Sequence, residues 1–224
     1  MTKQETQTPP RTEDKDRLEI LLKWARANEK LVAGVAVGLA VVAAGIWFAV
    51  SARERRESFA RRELAQARQA AEAGNLPLAA SDLSRVVGSF GSTAAGQEAR
   101  LVLAEVRLRQ GQAALAASEL QDFVGGSVRP QYRAQAYELL GLALEQSGQL
   151  GAAGKAFEDG SNAATAEYKY LSASLLLSAS RAYAAGGDTA AAIRMLERLA
   201  AEFEETSAAQ EAQLRLAELG KFEE

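Results

Sequence analysis

The side chains that could do chemistry in this 224-residue chain are carboxylates, amines and guanidinium groups, because the sequence contains neither His nor Cys. That composition excludes imidazole and thiolate metal sites, Cys nucleophiles and triads that depend on His. Acid–base catalysis would need a placed carboxylate pair or a Lys with a shifted pKa. Acidic residues such as Glu197, Glu202 and Glu204 instead fall on predicted solvent faces. We therefore expect no catalytic residue, no metal site and no cofactor.

Phosphate and nucleic acid binding are also disfavoured. The chain has no G-x-G-x-x-G motif and no G-x4-G-K-[ST] motif, so no glycine-rich loop is present to hold a phosphate. Its 26 basic and 29 acidic residues give a net charge of −3, which offers no electrostatic attraction for nucleic acid. We expect neither a nucleic acid nor a small-molecule substrate, and an enzyme is the least favoured class of protein.

The composition predicts that helices position whatever surface the protein uses. Apolar residues make up 48% of the chain and charged residues 25%, which is ordinary for a folded domain. Ala occurs 48 times and Pro only 4 times. Ala has the highest helix propensity and Pro the lowest, so the sequence predicts an all-α protein.

The segment 31–50 is an uncharged apolar run of twenty residues. A helix of that length covers roughly 30 Å, the thickness of the hydrocarbon core of a bilayer. Trp47 and Phe48 near its end suit the membrane interface. Gly34 and Gly38 have the spacing that lets another transmembrane helix approach closely. We expect a transmembrane anchor.

Two other interpretations of this segment remain open. A signal peptide cleaved near residues 50–52 is the stronger one, although the apolar run is longer than usual and thirty residues of mixed charge precede it. A buried helix of a soluble protein is disfavoured because the segment has no polar face.

The rest of the chain divides around the anchor. Residues 1–13 are polar and predicted to be disordered, and residues 14–30 are predicted to form a pre-membrane helix. Residues 51–62 are predicted to form a charged helical stem, and residues 63–224 a repeat domain. Four basic residues precede the anchor closely and five follow it, so the positive-inside rule gives nearly a tie, leaning toward an internal C-terminal domain.

The C-terminal part contains a pattern that resembles the tetratricopeptide repeat. The clearest copy consists of Tyr137, Leu140, Gly141, Gly148, Ala153 and Phe157. Gly148 is expected to end the first helix of the pair, because Gly adopts the left-handed conformation at little cost. Gly141 is expected to let the second helix pack closely, with Ala153 contacting it. Phe157 is expected to fill the space to the next repeat.

Three further copies align on the glycine that ends the first helix. Gly74, Gly111, Gly148 and Gly187 are separated by 37, 37 and 39 residues. The other repeat-defining residues are Ala67, Ala104 and Tyr183. A last helix over residues 207–219 would cover the exposed end of the array. The predicted fold is a single transmembrane helix followed by a tetratricopeptide solenoid of about four helix pairs and a C-terminal capping helix; a generic Ala-rich bundle is the less favoured alternative.

The first helices of such pairs line a groove, and the alignment predicts which side chains face it. The candidates are Arg68, Glu105, Arg109, Glu138, Leu142, Glu145 and Arg181. Their charges are mixed, and the Lys and Asn residues of a basic carboxylate clamp are absent. The sequence therefore favours a hydrophobic or mixed polypeptide segment over the acidic tail of a chaperone, with ordinary surface residues as the alternative.

The order of these parts resembles the ancillary SecYEG translocon subunit family (the YfgM type). The resemblance rests on Trp24, Asn28 and Lys30, which directly precede the anchor with its glycine pair. It also rests on residues 90–99, which form the predicted link between two helices. It covers about residues 15–220, and this chain has Glu29 where the family commonly has Gly. It implies a cytoplasmic N-terminus with residues 1–13 as a cytoplasmic tail, one helix in the bacterial inner membrane and a periplasmic repeat domain. A Cys-free domain is compatible with the oxidising periplasm.

The resemblance implies an adaptor beside the Sec translocon. Its partners would be the translocon itself, periplasmic chaperones or newly secreted proteins. The alternative from another class is a structural scaffold or assembly factor of a different envelope complex, such as a division complex, a pilus or an outer-membrane apparatus.

Overall fold

The structure, a computed structural model, describes residues 23–164 and 166–220. Helices follow one another with short connections, and no strand lies within those residues. The helices are α1 (Glu29–Glu72), α2 (Leu76–Phe90), α3 (Ala94–Arg109), α4 (Ala113–Gly125), α5 (Pro130–Gln146), α6 (Leu150–Ala163), α7 (Lys169–Ala185), α8 (Thr189–Glu202) and α9 (Ser207–Gly220). A 3-10 turn at Ala166–Tyr168 precedes α7. The predicted tail and the first part of the predicted pre-membrane helix, residues 14–22, lie outside the described residues.

The first part of α1 contains the apolar segment that the sequence analysis assigns to a membrane. α1 is 44 residues long and includes an 18-residue window with a mean hydropathy of 2.4, none of which is buried. Of the helices in residues 23–164 and 166–220, it alone has the length and apolar character to cross a bilayer. The same properties fit a signal sequence, so they support an anchor without distinguishing the two. No atom lies within 4 Å of the Cβ positions of Gly34 and Gly38, and their role in helix packing stays a prediction.

In each of four helix pairs, the turn between the two helices contains a glycine with a left-handed backbone conformation. The backbone φ angles of Gly74, Gly111, Gly148 and Gly187 are 79°, 73°, 76° and 85°. A side chain with a Cβ is strained at such angles, which explains why Gly recurs between the two helices of each pair. α9 then packs on α8, with Ala209 and Ala212 fully buried. The predicted all-α architecture of four helix pairs and a closing helix is confirmed.

Side-chain caps begin several of the helices. Thr93, Asp188 and Thr206 each accept a hydrogen bond from the backbone N–H three residues further on, at 2.9, 2.8 and 3.1 Å. These caps satisfy N–H groups that have no partner inside the helix. α5 begins at Pro130, whose missing N–H costs nothing in the first turn. The start of α9 directly after Thr206 agrees with the predicted last helix over residues 207–219.

Glycines, which have no Cβ atom, let the helices of the array approach one another closely. A Cβ at Gly141 on α5 would lie 2.4 Å from the ring of Phe157 on α6, so this ring packs inside its own helix pair. A Cβ at Gly154 on α6 would lie 2.8 Å from the ring of Tyr183 on α7, which begins the next pair. The contact at Gly154 is one that the sequence analysis does not predict. Aromatic rings over glycines thus join α5, α6 and α7 into one packed unit.

The buried residues form two clusters, and α3 contributes to both. Leu103 and Val106 belong to the cluster that contains the first helix pair. Leu101 and Ala104 belong to the cluster that extends through the later pairs to α9. Each helix therefore buries its apolar side chains mainly against its neighbours in sequence, as expected for a repeat array.

The repeat packing begins N-terminal to residue 63, where the sequence analysis sets the domain boundary. The chain divides into two compact units between Glu54 and Arg55. Ala60 is fully buried and Leu64 nearly so. The alternating Arg and Glu residues of the predicted stem suggest a solvated helix, but the apolar spacing of residues 60, 64, 67 and 71 gives this part of α1 a buried face.

Glu57 fixes this part of α1 to the start of the second pair. Its carboxylate accepts hydrogen bonds from the backbone N–H groups of Ala94 at 2.8 Å and Ala95 at 3.1 Å. These are the first two residues of α3, where unsatisfied N–H groups and the helix dipole both favour a negative charge. A residue predicted as part of a solvated stem therefore connects two repeats.

We expect Gly141→Ala to destabilise the protein. In an open helix a Gly-to-Ala change stabilises by about 0.5–1 kcal/mol. At Gly141 the new Cβ would overlap the ring of Phe157, so we expect a loss of about 1–3 kcal/mol. Unfolding of the full chain in detergent, followed by helical circular dichroism, measures the difference. Gly88→Ala is the control because no atom lies within 4 Å of that Cβ position; equal stabilisation by both substitutions would contradict the packing described here.

We expect Glu57→Ala to lower the free energy of unfolding by about 1–2 kcal/mol, because two N–H groups at the start of α3 lose their acceptor. Denaturant unfolding of the full chain measures this loss. Glu54→Ala removes the same side chain from an exposed position on the same helix and should change stability little. A similar loss in both variants would mean that the cap contributes nothing.

Candidate binding groove

Two adjoining clefts form a groove along the first helices of the second and third pairs. The first has a volume of about 270 Å³ and the second of about 320 Å³. Tyr132 and Gln135 on α5 line both clefts, so the two clefts are neighbours that share a wall. The first cleft is also lined by Arg68, Ala71, Glu72, Glu98, Leu101, Val102, Glu105, Val106 and Arg109. The second is also lined by Pro130, Gln131, Ala134, Glu138, Ala163, Ala164, Tyr168 and Leu171.

The structure brings four of the seven predicted groove residues to these clefts. Arg68, Glu105 and Arg109 line the first cleft, and Glu138 lines the second. The other three lie outside both. Leu142 is 38% exposed, Glu145 is exposed, and Arg181 is exposed and donates a hydrogen bond to Ser178 at 3.0 Å. Leu142 and Arg181 stand six residues before the glycine that ends their helix, as Glu105 does, whereas Glu145 stands three residues before it. All three lie further along α5 or α7 than the residues that line the clefts.

The cations of the first cleft are directed toward neighbouring groups of the protein. Arg68 forms an ion pair with Glu98 at 2.6 Å, which joins α1 to α3. Arg109 donates a hydrogen bond of 3.5 Å to the backbone oxygen of Ala71 at the end of α1. Both guanidinium groups therefore interact across the side of the groove formed by α1.

The pKa values of two groups on α5 are raised by burial and by the negative charges around them. Burial, together with the negative charge of Glu105 on α3, raises the pKa of Glu138 on α5. Burial, together with the charges of Glu98 and Glu57, also raises the pKa of the Tyr132 hydroxyl. In both cases burial is the larger cause and nearby carboxylates add to it, since a negative charge is less stable where water is partly excluded and other negative charges are near.

A buried amide holds α5 in place along this groove. The side chain of Gln97 on α3 is nearly buried, donates to the backbone oxygen of Ser127 at 2.9 Å and accepts from the backbone N–H of Arg129 at 2.9 Å. The two bonds fix the chain that enters α5 just before Tyr132. Gln97 is thus a positioning residue for the wall that both clefts share.

The sequence analysis misses several residues that line the groove, including Glu98, Tyr132, Gln135 and Tyr168. The period itself contains a signal for two of them, because Glu98 and Gln135 are 37 residues apart, the spacing of the glycines that end helices α3 and α5. Tyr132 and Tyr168 lie near the starts of α5 and α7, where the repeat pattern specifies no residue type. Among the described residues, no three Asp or Glu side chains are placed to hold a metal ion.

Comparisons with known proteins agree with this architecture. The model of a family described as a tetratricopeptide repeat-like domain matches residues 48–173, more than half of the chain. Two crystal structures of the nearly identical TPR-like repeats assigned to a kinesin light chain of Podosopora anserina, one of them of a variant chain, are similar to it. Each is 22% identical, with 72% of this chain and 85% of the other covered, and the TM-scores are 0.55 for the variant and 0.56 for the other. At this identity the likeness shows the fold alone. No curated protein matches the chain.

The raised pKa of Glu138 predicts how stability depends on pH. The folded chain holds this proton more tightly than the unfolded chain, so wild-type stability falls as pH rises from the usual value of 4.5 through the raised value. Glu138→Gln removes this loss. We expect the variant to exceed the wild type in melting temperature near pH ~7 and the difference to close toward pH ~4.

Thermal unfolding of the full chain at several pH values measures that difference. Glu105→Gln is the companion variant, because it keeps Glu138 but removes the opposing charge, and it should reduce the pH dependence partly. A difference between wild type and Glu138→Gln that does not vary with pH would contradict the assignment.

Proposed function

Because the chain belongs to the family of tetratricopeptide repeat-like domains, we propose that it is a membrane-tethered adaptor that holds protein partners in its groove. Repeat arrays of this fold present extended surfaces and are typically interaction scaffolds without catalytic function. The repeat fold of the chain therefore implies a role in protein–protein interaction. The proposal adds the tether, the location and the partners.

The observation that carries the proposal is the groove made of two neighbouring clefts, which share Tyr132 and Gln135 as a wall. It combines apolar walls with charged groups of both signs, as expected for a surface that contacts a polypeptide. Its first helices are held in register by the Glu57 cap and by Gln97, so the surface is largely formed before a partner arrives. Preformed surfaces lose less conformational entropy on binding.

The proposed tether is the apolar segment of α1. It has the length of a membrane span, and Trp47 and Phe48 leave 69% and 68% of their surface exposed. Side chains of this kind are stable in the interface of a bilayer. An anchored groove has a high effective concentration toward anything else in the same membrane, so weak contacts suffice.

The proposed location and partners follow from the resemblance of the anchor and of the link at residues 90–99 to the ancillary SecYEG translocon subunits. In this proposal the N-terminus is cytoplasmic, the anchor lies in the bacterial inner membrane and the repeats lie in the periplasm. The groove then contacts the Sec translocon, periplasmic chaperones or newly secreted chains.

The proposal predicts specific crosslinks in living cells. A photoreactive amino acid in place of Arg109, which lines the groove, should capture a translocon subunit, a periplasmic chaperone or a secretory protein. The same substitution at Arg194, which is exposed on α8 and lines neither cleft, is the matched control and should capture much less. Crosslinks to a division, pilus or outer-membrane complex in place of these partners would favour the alternative scaffold function.

A reporter fused after Glu224 and active only outside the cytoplasm tests the orientation in the same cells. Activity of this reporter is expected. A reporter confined to the cytoplasm would overturn the proposed location and the translocon role with it.

A further inference from the structure

The helices α3 and α9 have closely similar sequences. Residues 94–105 read AAGQEARLVLAE, and residues 207–218 read SAAQEAQLRLAE. Each helix begins directly after a Thr whose hydroxyl caps it, Thr93 for α3 and Thr206 for α9. By its sequence, α9 is therefore the counterpart of α3, which is the first helix of the second pair.

One face of α3 shows what this sequence pattern does when other helices cover it. Gln97, Leu101 and Ala104 follow one another at the i, i+4 and i+7 spacing of a single helix face, and they are only 7%, 2% and 1% exposed. Leu101 and Ala104 belong to the buried cluster that they share with the later pairs. Gln97 bonds to the backbone that leads into α5. On α3 this face is thus the one that receives the next helices of the array.

The same three residue types recur on α9, where they are exposed. Gln210, Leu214 and Ala217 have the same spacing, and Leu214 exposes 62% of its surface. The other face of α9, with Ala209 and Ala212, is fully buried where the helix packs on α8. α9 therefore presents to solvent a helix-packing face that its counterpart α3 buries.

The side chains around this face suit an antiparallel approach of a second α9. When two such helices cross at Leu214, the antiparallel arrangement places Gln210 of one copy opposite Glu218 of the other, so that an amide donor meets a carboxylate. The parallel arrangement places Glu218 opposite itself, where like charges repel. Glu211 and Arg215 form an ion pair within the helix at 2.6 Å, so they oppose neither arrangement.

We propose that two copies of this chain associate through α9, with Leu214 of each copy at a two-fold axis and Gln210 of each donating a hydrogen bond to Glu218 of the other. Such a contact is isologous, the commonest kind in homodimers. Two short helices bury less than the roughly 1,600 Å² of a standard interface, so the contact is weak between chains free in solution. Copies tethered in one membrane have a high effective concentration, which makes a weak contact sufficient. The dimer goes beyond the adaptor function and takes from it only the membrane tether.

The chain contains no Cys, so an introduced Cys gives a disulfide test without background. Two Cys residues form a disulfide only when their Cα atoms lie within about 7 Å, which the proposed axis provides at position 214. Full chains in lipid vesicles are oxidised with copper phenanthroline. We expect Leu214→Cys to form covalent dimers about 10-fold faster than Glu197→Cys, because Glu197 is exposed on α8 and lies outside the contact.

Mixed crosslinks test the antiparallel arrangement. Vesicles that contain both Gln210→Cys and Glu218→Cys chains should form dimers faster than vesicles that contain either variant alone. Faster crosslinking of Glu218→Cys with itself would contradict the arrangement of the two helices.

Energy transfer between copies measures association while Leu214 is intact. Chains carrying Glu197→Cys are labelled with donor or acceptor dyes and mixed in vesicles, where we expect transfer. Adding Leu214→Asp should remove most of it, because two carboxylates would meet at the axis. Leu78→Asp makes the same change at another exposed Leu, on α2, and should retain the transfer. Circular dichroism checks that the helices of each variant remain folded.

The outcomes decide both the face and its occupant. Equal crosslinking at positions 214 and 197, or energy transfer that survives Leu214→Asp, would overturn the dimer. In cells, a photoreactive amino acid at Leu214 should yield a product of two copies of this chain. A product that contains a different protein instead would assign the face to that protein and exclude the second copy. None of these results affects the crosslinks expected from Arg109.

Discussion

The close approach of neighbouring helices is the constraint on which the rest of this molecule depends. Gly141 lets the ring of Phe157 lie against the backbone of α5, and Gly154 lets the ring of Tyr183, which belongs to α7, lie against the backbone of α6. Fully buried Ala residues lie between the helices of the first two pairs, such as Ala67 and Ala79 in the first and Ala116 in the second. Because interiors are close-packed, these distances set the spacing of the first helices and hence the width of the groove between them.

The groove combines this rigid spacing with an uneven distribution of charge. The ion pair between Arg68 and Glu98 and the bond from Arg109 to Ala71 occupy one side. Glu105 lines one cleft and Glu138 the other, and burial together with the charge of Glu105 raises the pKa of Glu138. In a binding surface, electrostatic complementarity contributes more to specificity than to affinity.

Much of the fold follows from the sequence because it depends on local backbone preferences. Four helices end in a left-handed conformation, at Gly74, Gly111, Gly148 and Gly187. That conformation favours Gly, so these helix ends can be predicted from residue types alone. The groove is less predictable, since Leu142 and Arg181 share the register of Glu105 but lie outside the clefts. Contacts between repeats are even harder to predict from the sequence. Glu57 has the residue type of a solvated charge, and only the approach of α3 makes it a cap.

The division of the buried residues into two clusters that meet in α3 has a consequence for cooperativity. One face of this helix, with Leu103 and Val106, packs toward the first pair, and another face, with Leu101 and Ala104, packs toward the later pairs. In a quasi-one-dimensional array, stability passes only between neighbours. α3 is therefore the coupling element of the solenoid: while it is folded, fraying at one end is resisted by the other end, and once it melts the two halves open independently.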